Sequence, residues 1–148
     1  MSTYTQILYQ IVFSTKGREK VLIKEKRQQL FKYIWGILEN KKCHLYRINA
    51  VEDHIHIVTH IHPSIALADL VKDIKSYSSH WVRENRIFPE FTFWQEGYAA
   101  FTYSYDSKDN LIVYVKNQEL HHKKRSFRDE LIELLNEHNV EFDEKYLL

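Results

Sequence analysis

A single cysteine, Cys43, excludes a disulfide within the chain. It lies in a segment of alternating apolar residues and reads as a small buried hydrophobe rather than a nucleophile. Two prolines and three glycines leave little room for long irregular loops, and neither an internal repeat nor a low-complexity linker interrupts the chain. No apolar run approaches the roughly 20 residues that span a bilayer. The N-terminus also lacks the charged, apolar, small-residue pattern of a secretory signal. These absences make the cytoplasm the expected location and leave no membrane partner.

What is present is ordinary globular material: 148 residues, 44% hydrophobic and 28% charged. That composition is far from the apolar-poor chains that stay disordered. The length suits one compact domain and is short for two, so residues 1–148 are read as a single domain. A net charge of +1 hides an asymmetry. From Asp129 onward there are seven acids and one base, and before it twenty bases and thirteen acids, so +7 faces −6. The basic part suits a polyanion, and residues 129–148 form an acidic helix and tail able to modulate or cover it.

Residues 4–14 are rich in Tyr, Ile, Val and Phe and read as a strand. Leu30, Phe31, Ile34, Ile37 and Leu38 recur at helical spacing, predicting a helix over 23–40 with a basic exposed side of Lys24, Lys26, Arg27 and Lys32. Two strands, 43–51 and 54–62, are joined tightly at Glu52-Asp53. Ser64 is the expected N-cap of a second helix over 65–85, with Tyr77 and Trp81 on its apolar face. A short strand over 99–105 precedes a third helix capped by Asp109 and running to His122. A fourth runs from Phe127 to about His138, with Asn139 as its stop. Strand, helix, strand, strand, helix, strand with appended helices is the order of an α+β, ferredoxin-like (RRM-like) sandwich, an antiparallel sheet with helices packed on it. That fold serves many functions, so function is argued from sites.

The first candidate site is His54-Ile55-His56. Side chains two apart on a strand share a face, so the two imidazoles stand together and can present two nitrogens to one metal ion. His60 and His62 share the same parity, so spacing alone leaves open which pair binds, or whether all four are simply polar residues of a half-buried strand. The second is Tyr114 through His122. Tyr114 and Gln118 are four apart and lie on one helix face, with His121 and His122 a turn further on. Either segment viewed alone also reads as ordinary packing.

Together they resemble a family. His54-Ile55-His56 is similar to the His-hydrophobic-His motif of the HUH superfamily. Tyr114 with Asn117-Gln118 and His121-His122 resembles the signature helix of its single-tyrosine, IS200-like transposases, which small insertion sequences encode. Trp94-Gln95-Glu96-Gly97-Tyr98 and the stretch from Ser126-Phe127 to Phe142-Asp143-Glu144-Lys145-Tyr146-Leu147 resemble the same family in the same order. The resemblance implies His54, His56 and Gln118 as metal ligands and Tyr114 as nucleophile. His60 and His62 fall outside the motif and are assigned to DNA contact or structure; the roles of His121 and His122 stay open. It implies a homodimer acting on single-stranded DNA with hairpins at element ends, and no small-molecule substrate.

A His/His/Gln site suits Mg²⁺, with Mn²⁺ also competent. A tyrosine nucleophile stores the phosphodiester energy in a covalent 5′-phosphotyrosine, so a strand can be resealed without ATP. DNA phosphates are expected to meet Lys16, Arg18 and Lys20, the helix bearing Lys24 and Arg27, and the run Lys123, Lys124 and Arg125. Aromatics among Tyr98, Phe101, Tyr103 and Tyr105 are candidates for stacking on bases, though strand packing accounts for most of them. Two other readings compete: a domesticated relative that processes palindromic repeats, and a catalytically silent module that binds single strands. The silent module has no need of His54, His56, Tyr114 and Gln118 together.

Overall fold

The computed structural model describes residues 2–147. Its centre is β1 (Leu8–Ser14), buried at every position but the partly exposed Tyr9. β1 pairs antiparallel with β3 (His54–His60) on one side and β4 (Ala99–Tyr103) on the other. β2 (Leu45–Ala50) extends the sheet beyond β3, giving the order β2-β3-β1-β4. α1 (Arg27–Asn40) links β1 to β2, and α2 (Leu67–Glu84) links β3 to β4. The expected α+β class and ferredoxin-like order are therefore present.

Both faces of the sheet are covered, so β1 and β3 are buried along almost their whole length, polar positions included. On one face Ile11, Phe13, Ile55 and Ile57 share a core with Leu30, Ile34 and Leu38 of α1 and Leu70, Val71 and Ile74 of α2. On the other lie three helices that follow β4: α3 (Lys108–Lys116), α4 (Gln118–Lys124) and α5 (Phe127–Glu137). Leu8 and Val58 pack on Leu111 and Val115 of α3. Val12, Ala99 and Phe101 pack on Phe127, Leu131, Leu134 and Leu135 of α5. This second face is apolar where α3 and α5 sit down and polar between them, where Gln10, Ser14, His54 and His56 are buried.

Several boundaries differ from the sequence expectation. α2 starts at Leu67 because Ser64 is engaged by His62, its Oγ 2.7 Å from the imidazole Nδ1, and the helix has no side-chain cap. Tyr77 lies on the solvent side of α2, 52% exposed, whereas Trp81 stacks on Tyr33. Ser107, not Asp109, precedes α3. Ser126 does cap α5, accepting from the Asp129 amide, and Asn139 takes the left-handed conformation (φ 55°) that ends it.

The expected third helix is two. The Asn49 carboxamide, from β2, donates to the carbonyls of Val115 (3.0 Å) and Lys116 (3.1 Å). An uninterrupted helix would offer those carbonyls to Glu119 and Leu120. With them engaged, the Leu120 amide turns back to Asn117, and α4 starts afresh at Gln118. Among the described residues no helix is long and apolar enough to cross a membrane.

Candidate active site

The two motif histidines occupy the first and third positions of β3, where their register partners on β1 are Ser14 and Val12. Each imidazole is fixed through Nδ1. Asp53, in the turn before β3, places Oδ1 2.7 Å from Nδ1 of His54. Gln10 of β1 places its carboxamide oxygen 2.7 Å from Nδ1 of His56, and its amide donates to the Tyr103 hydroxyl, also at 2.7 Å. Both Nδ1 partners are acceptors, so each Nδ1 carries the proton and each Nε2 turns its lone pair inward when the ring is neutral. Outer carboxylate or amide partners of this kind are how proteins orient metal-binding imidazoles.

The two Nε2 atoms converge on Glu130 of α5: Oε1 lies 3.2 Å from His54 and 3.1 Å from His56. The Gln118 oxygen is 3.4 Å from His54 Nε2, while the Gln118 amide donates to Glu130 Oε2 at 3.1 Å. Tyr114 of α3 points its hydroxyl at the same Oε2, its ring 6.1 Å from that of His56. Arg125 donates to the Tyr114 oxygen at 3.1 Å and pairs with Glu130 and Glu133. Thus the break before α4 does not separate Tyr114 from Gln118; both reach one carboxylate. Tyr114 meets the histidines of its own chain.

Nearly all of this is out of water. His54, His56, Gln118 and Glu130 are each no more than 3% exposed. Burial opposes charge on Glu130, but the His54 and His56 bonds outweigh it and hold the carboxyl far below the usual range. Burial likewise works to lower His54, yet bonds to Asp53 and Glu130 raise it overall. For His56 burial prevails and its pKa falls. Burial, then the Glu130 charge, push the Tyr114 phenol well above its ordinary value, with Arg125 opposing them. With both rings neutral, the inward lone pairs of His54, His56, Gln118 and Glu130 face one another and need a cation between them. Two imidazoles, a carboxamide oxygen and a carboxylate, all aimed at one point, fit a divalent cation.

The other expected site residues scatter. Lys123 and Lys124 are exposed beside the site, and Lys16 and Lys20 are exposed on the loop after β1, with Arg18 half-buried. Lys20, Lys24, His122 and Lys123 line a cleft of about 440 Å³. Tyr114 and Arg125 line another of about 250 Å³ between α3 and α5. Arg27 is not a surface cation: it is buried, donates to the Leu22 carbonyl at 2.8 Å and faces Glu119. Arg125 is likewise committed inward rather than presented to solvent with its two lysine neighbours. His60 and His62 are not ligands to the same point; His60 Nδ1 accepts the Ile7 amide and His62 engages Ser64. His121 stacks on the Tyr114 ring at 4.8 Å. His122 stands 6.0 Å from His54, ring to ring, with its Nδ1 buried and unpartnered. Phe101 is core, and Tyr103 is tied to Gln10.

Sequence reasoning missed Glu130, Asp53 and Gln10. Glu130 did leave a signal: it falls on the Phe127, Leu131, Leu134 stripe, an acid on the buried face of an amphipathic helix. Asp53 was visible only as a turn residue, and nothing local distinguished Gln10.

Residues 3–118 match the model of the family described as Transposase IS200 like. The chain belongs to the IS200-like transposase family. It is accordingly a DNA-processing enzyme of the HUH type. Among solved structures, a candidate transposase from Deinococcus radiodurans R1 shares the fold with a TM-score of 0.62 at 22% identity, over 80% of this chain and 95% of that one. A REP-associated tyrosine transposase, solved bound to a REP hairpin, also superposes with a TM-score of 0.62, at 13% identity over 82% of this chain and 74% of that one. No curated protein sequence matches significantly. The family match ends at Gln118, so Arg125 and Glu130 lie beyond it.

Proposed function

We propose that this transposase cleaves and rejoins single-stranded DNA at insertion-sequence ends through a covalent bond to Tyr114, with a divalent ion held by His54, His56 and Gln118. The observation that carries this reading is the convergence of the Tyr114 hydroxyl, the Gln118 carboxamide and both imidazoles on one buried carboxylate. When bound, Mg²⁺ or Mn²⁺ supplies Lewis-acid polarisation of the phosphate and a template for its oxygens.

The chain's own groups do the rest. Asp53 and Gln10 hold the imidazoles with Nε2 facing inward. Asn49, by arresting α3, sets where Gln118 begins the next helix. Tyr114 Oη attacks phosphorus, the bond from phosphorus to the 3′-oxygen breaks, and the proton lost by the phenol is balanced by one gained at the 3′-hydroxyl. Arg125 donates to the phenolic oxygen and favours the negative charge that grows there. A second strand's 3′-hydroxyl then reverses the step and restores a phosphodiester.

Exposed Lys16, Lys20, Lys24, Lys123 and Lys124 supply phosphate contacts. The REP hairpin in the structure of a like-folded transposase supports hairpin-bearing single strands as the substrate here. The resemblance to single-tyrosine transposases supports a homodimer.

The test is a single strand from the flanks of the element, labelled at either end and incubated with Mn²⁺ or Mg²⁺. The proposal expects one fragment with an extendable 3′-hydroxyl and the other attached to protein. A free 5′-phosphate fragment would mean that water, not Tyr114, is the nucleophile. Hairpin binding without any nick would favour the silent binding module.

A further inference from the structure

We propose that Glu130 is an additional protein ligand of the divalent ion, bound through Oε1, so that α5 completes the metal centre. This rests on the reading above that His54, His56 and Gln118 hold such an ion. It adds a residue from beyond the segment that matches the family.

The geometry separates the two oxygens of the carboxylate. Oε2 is occupied: it accepts from Tyr114 and from the Gln118 amide, and Arg125 lies 3.7 Å away. Oε1 meets only the two Nε2 atoms, and both of those carry lone pairs rather than protons in the neutral rings. Donors about 2.1 Å from one ion lie about 3.0 Å apart at adjacent octahedral corners and about 3.4 Å apart in a tetrahedron. The separations of 3.1 and 3.2 Å from Glu130 Oε1 to the imidazoles, and of 3.4 Å from Gln118 to His54, are edges of that size.

Charge argues the same way. Two imidazoles and a carboxamide are neutral donors, whereas Mg²⁺ and Mn²⁺ favour anionic oxygen. Glu130 supplies the missing charge at 3% exposure, on the face of α5 that Phe127, Leu131 and Leu134 anchor to the sheet. A carboxylate is costly in such a place unless it is paired or metal-bound.

The test is Mn²⁺ titration of the full-length protein without DNA, followed by calorimetry and by the electron paramagnetic resonance signal of free Mn²⁺. Glu130→Gln, which preserves shape, is expected to weaken Mn²⁺ binding at least about tenfold. Glu130→Asp, which withdraws the oxygen by one methylene, should also weaken it and serves if the first variant does not fold. Glu133→Gln, on the same helix and also paired with Arg125, should leave the affinity unchanged. Unchanged affinity in a folded Glu130 variant overturns the role of Glu130 alone and leaves His54, His56 and Gln118 in place. A wild-type chain that binds no Mn²⁺ overturns both.

Discussion

Asp53 Oδ1 stands 2.7 Å from Nδ1 of His54, and this contact decides which nitrogen of that imidazole faces the site. Burial alone would raise the Asp53 carboxyl, yet the bond to His54 brings it below its ordinary value. Asp53→Asn retains the shape but can present an N–H to Nδ1 and favour the wrong tautomer. We expect a 10- to 100-fold loss of Mn²⁺ affinity, of the order found for outer partners of metal-bound histidines, with little change in thermal midpoint. Calorimetric titration checks it, and unchanged affinity would mean that the orientation of His54 does not depend on Asp53.

Asn49 tests the helix break. Asn49→Leu leaves the carbonyls of Val115 and Lys116 without their donor, at a cost of about 0.5–1.5 kcal/mol because these acceptors are only partly buried or exposed. Urea denaturation should show the lower midpoint. Mn²⁺ affinity should fall with it, because α4 is then free to start elsewhere and carry Gln118 off the site. Lower stability with wild-type affinity would show that the break is not what places Gln118.

Sequence alone groups Arg125 with Lys123 and Lys124 as a DNA contact, whereas its position against Tyr114 gives it a different phenotype. Arg125→Ala should slow adduct formation by about 10²-fold or more, the order expected for removing one positioned donor to a developing charge. Its affinity for hairpin DNA should stay close to wild type. The opposite pattern, weak binding with a normal single-turnover rate, would return Arg125 to the phosphate-binding set.

The lysines and Arg27 separate in salt. Changing Lys123 and Lys124 together to alanine should lower the slope of log affinity against log salt by roughly 0.7 for each single-strand phosphate that is no longer neutralised. Arg27→Ala should leave that slope alone and lower stability instead, because the guanidinium is buried against the Leu22 carbonyl and Glu119. A changed salt slope in a folded Arg27 variant would place that side chain on the DNA after all.

How much of this was legible follows from the range of each signal. Periodicity located the four strands and the α1, α2 and α5 helices because each buries a whole face, and alternation put His54 and His56 on the same side of β3. The split of α3 from α4 was not legible, since the donor that causes it, Asn49, is 66 residues from Val115. Arg27 looked exposed because its spacing was judged within α1, whereas its partner Glu119 sits on α4. Gln10 and Asp53 become site residues only once β1 and the turn before β3 are placed beside the imidazoles. Glu130 is the instructive case. Its place on the apolar stripe of α5 was readable, but an acid there has meaning only when the polar patch of the sheet beneath it is known.

The most direct measurement is mass spectrometry of the covalent species. After reaction with a hairpin-bearing single strand and Mn²⁺, nuclease trimming and trypsin digestion, the peptide Asp109–Lys116 contains Tyr114 as its one tyrosine. The account predicts a 5′-phosphonucleotide on that tyrosine, dependent on metal and absent from Tyr114→Phe, which still binds the hairpin. A nucleotide on Tyr103 or Tyr105, or metal-dependent nicking that persists in Tyr114→Phe, would contradict it.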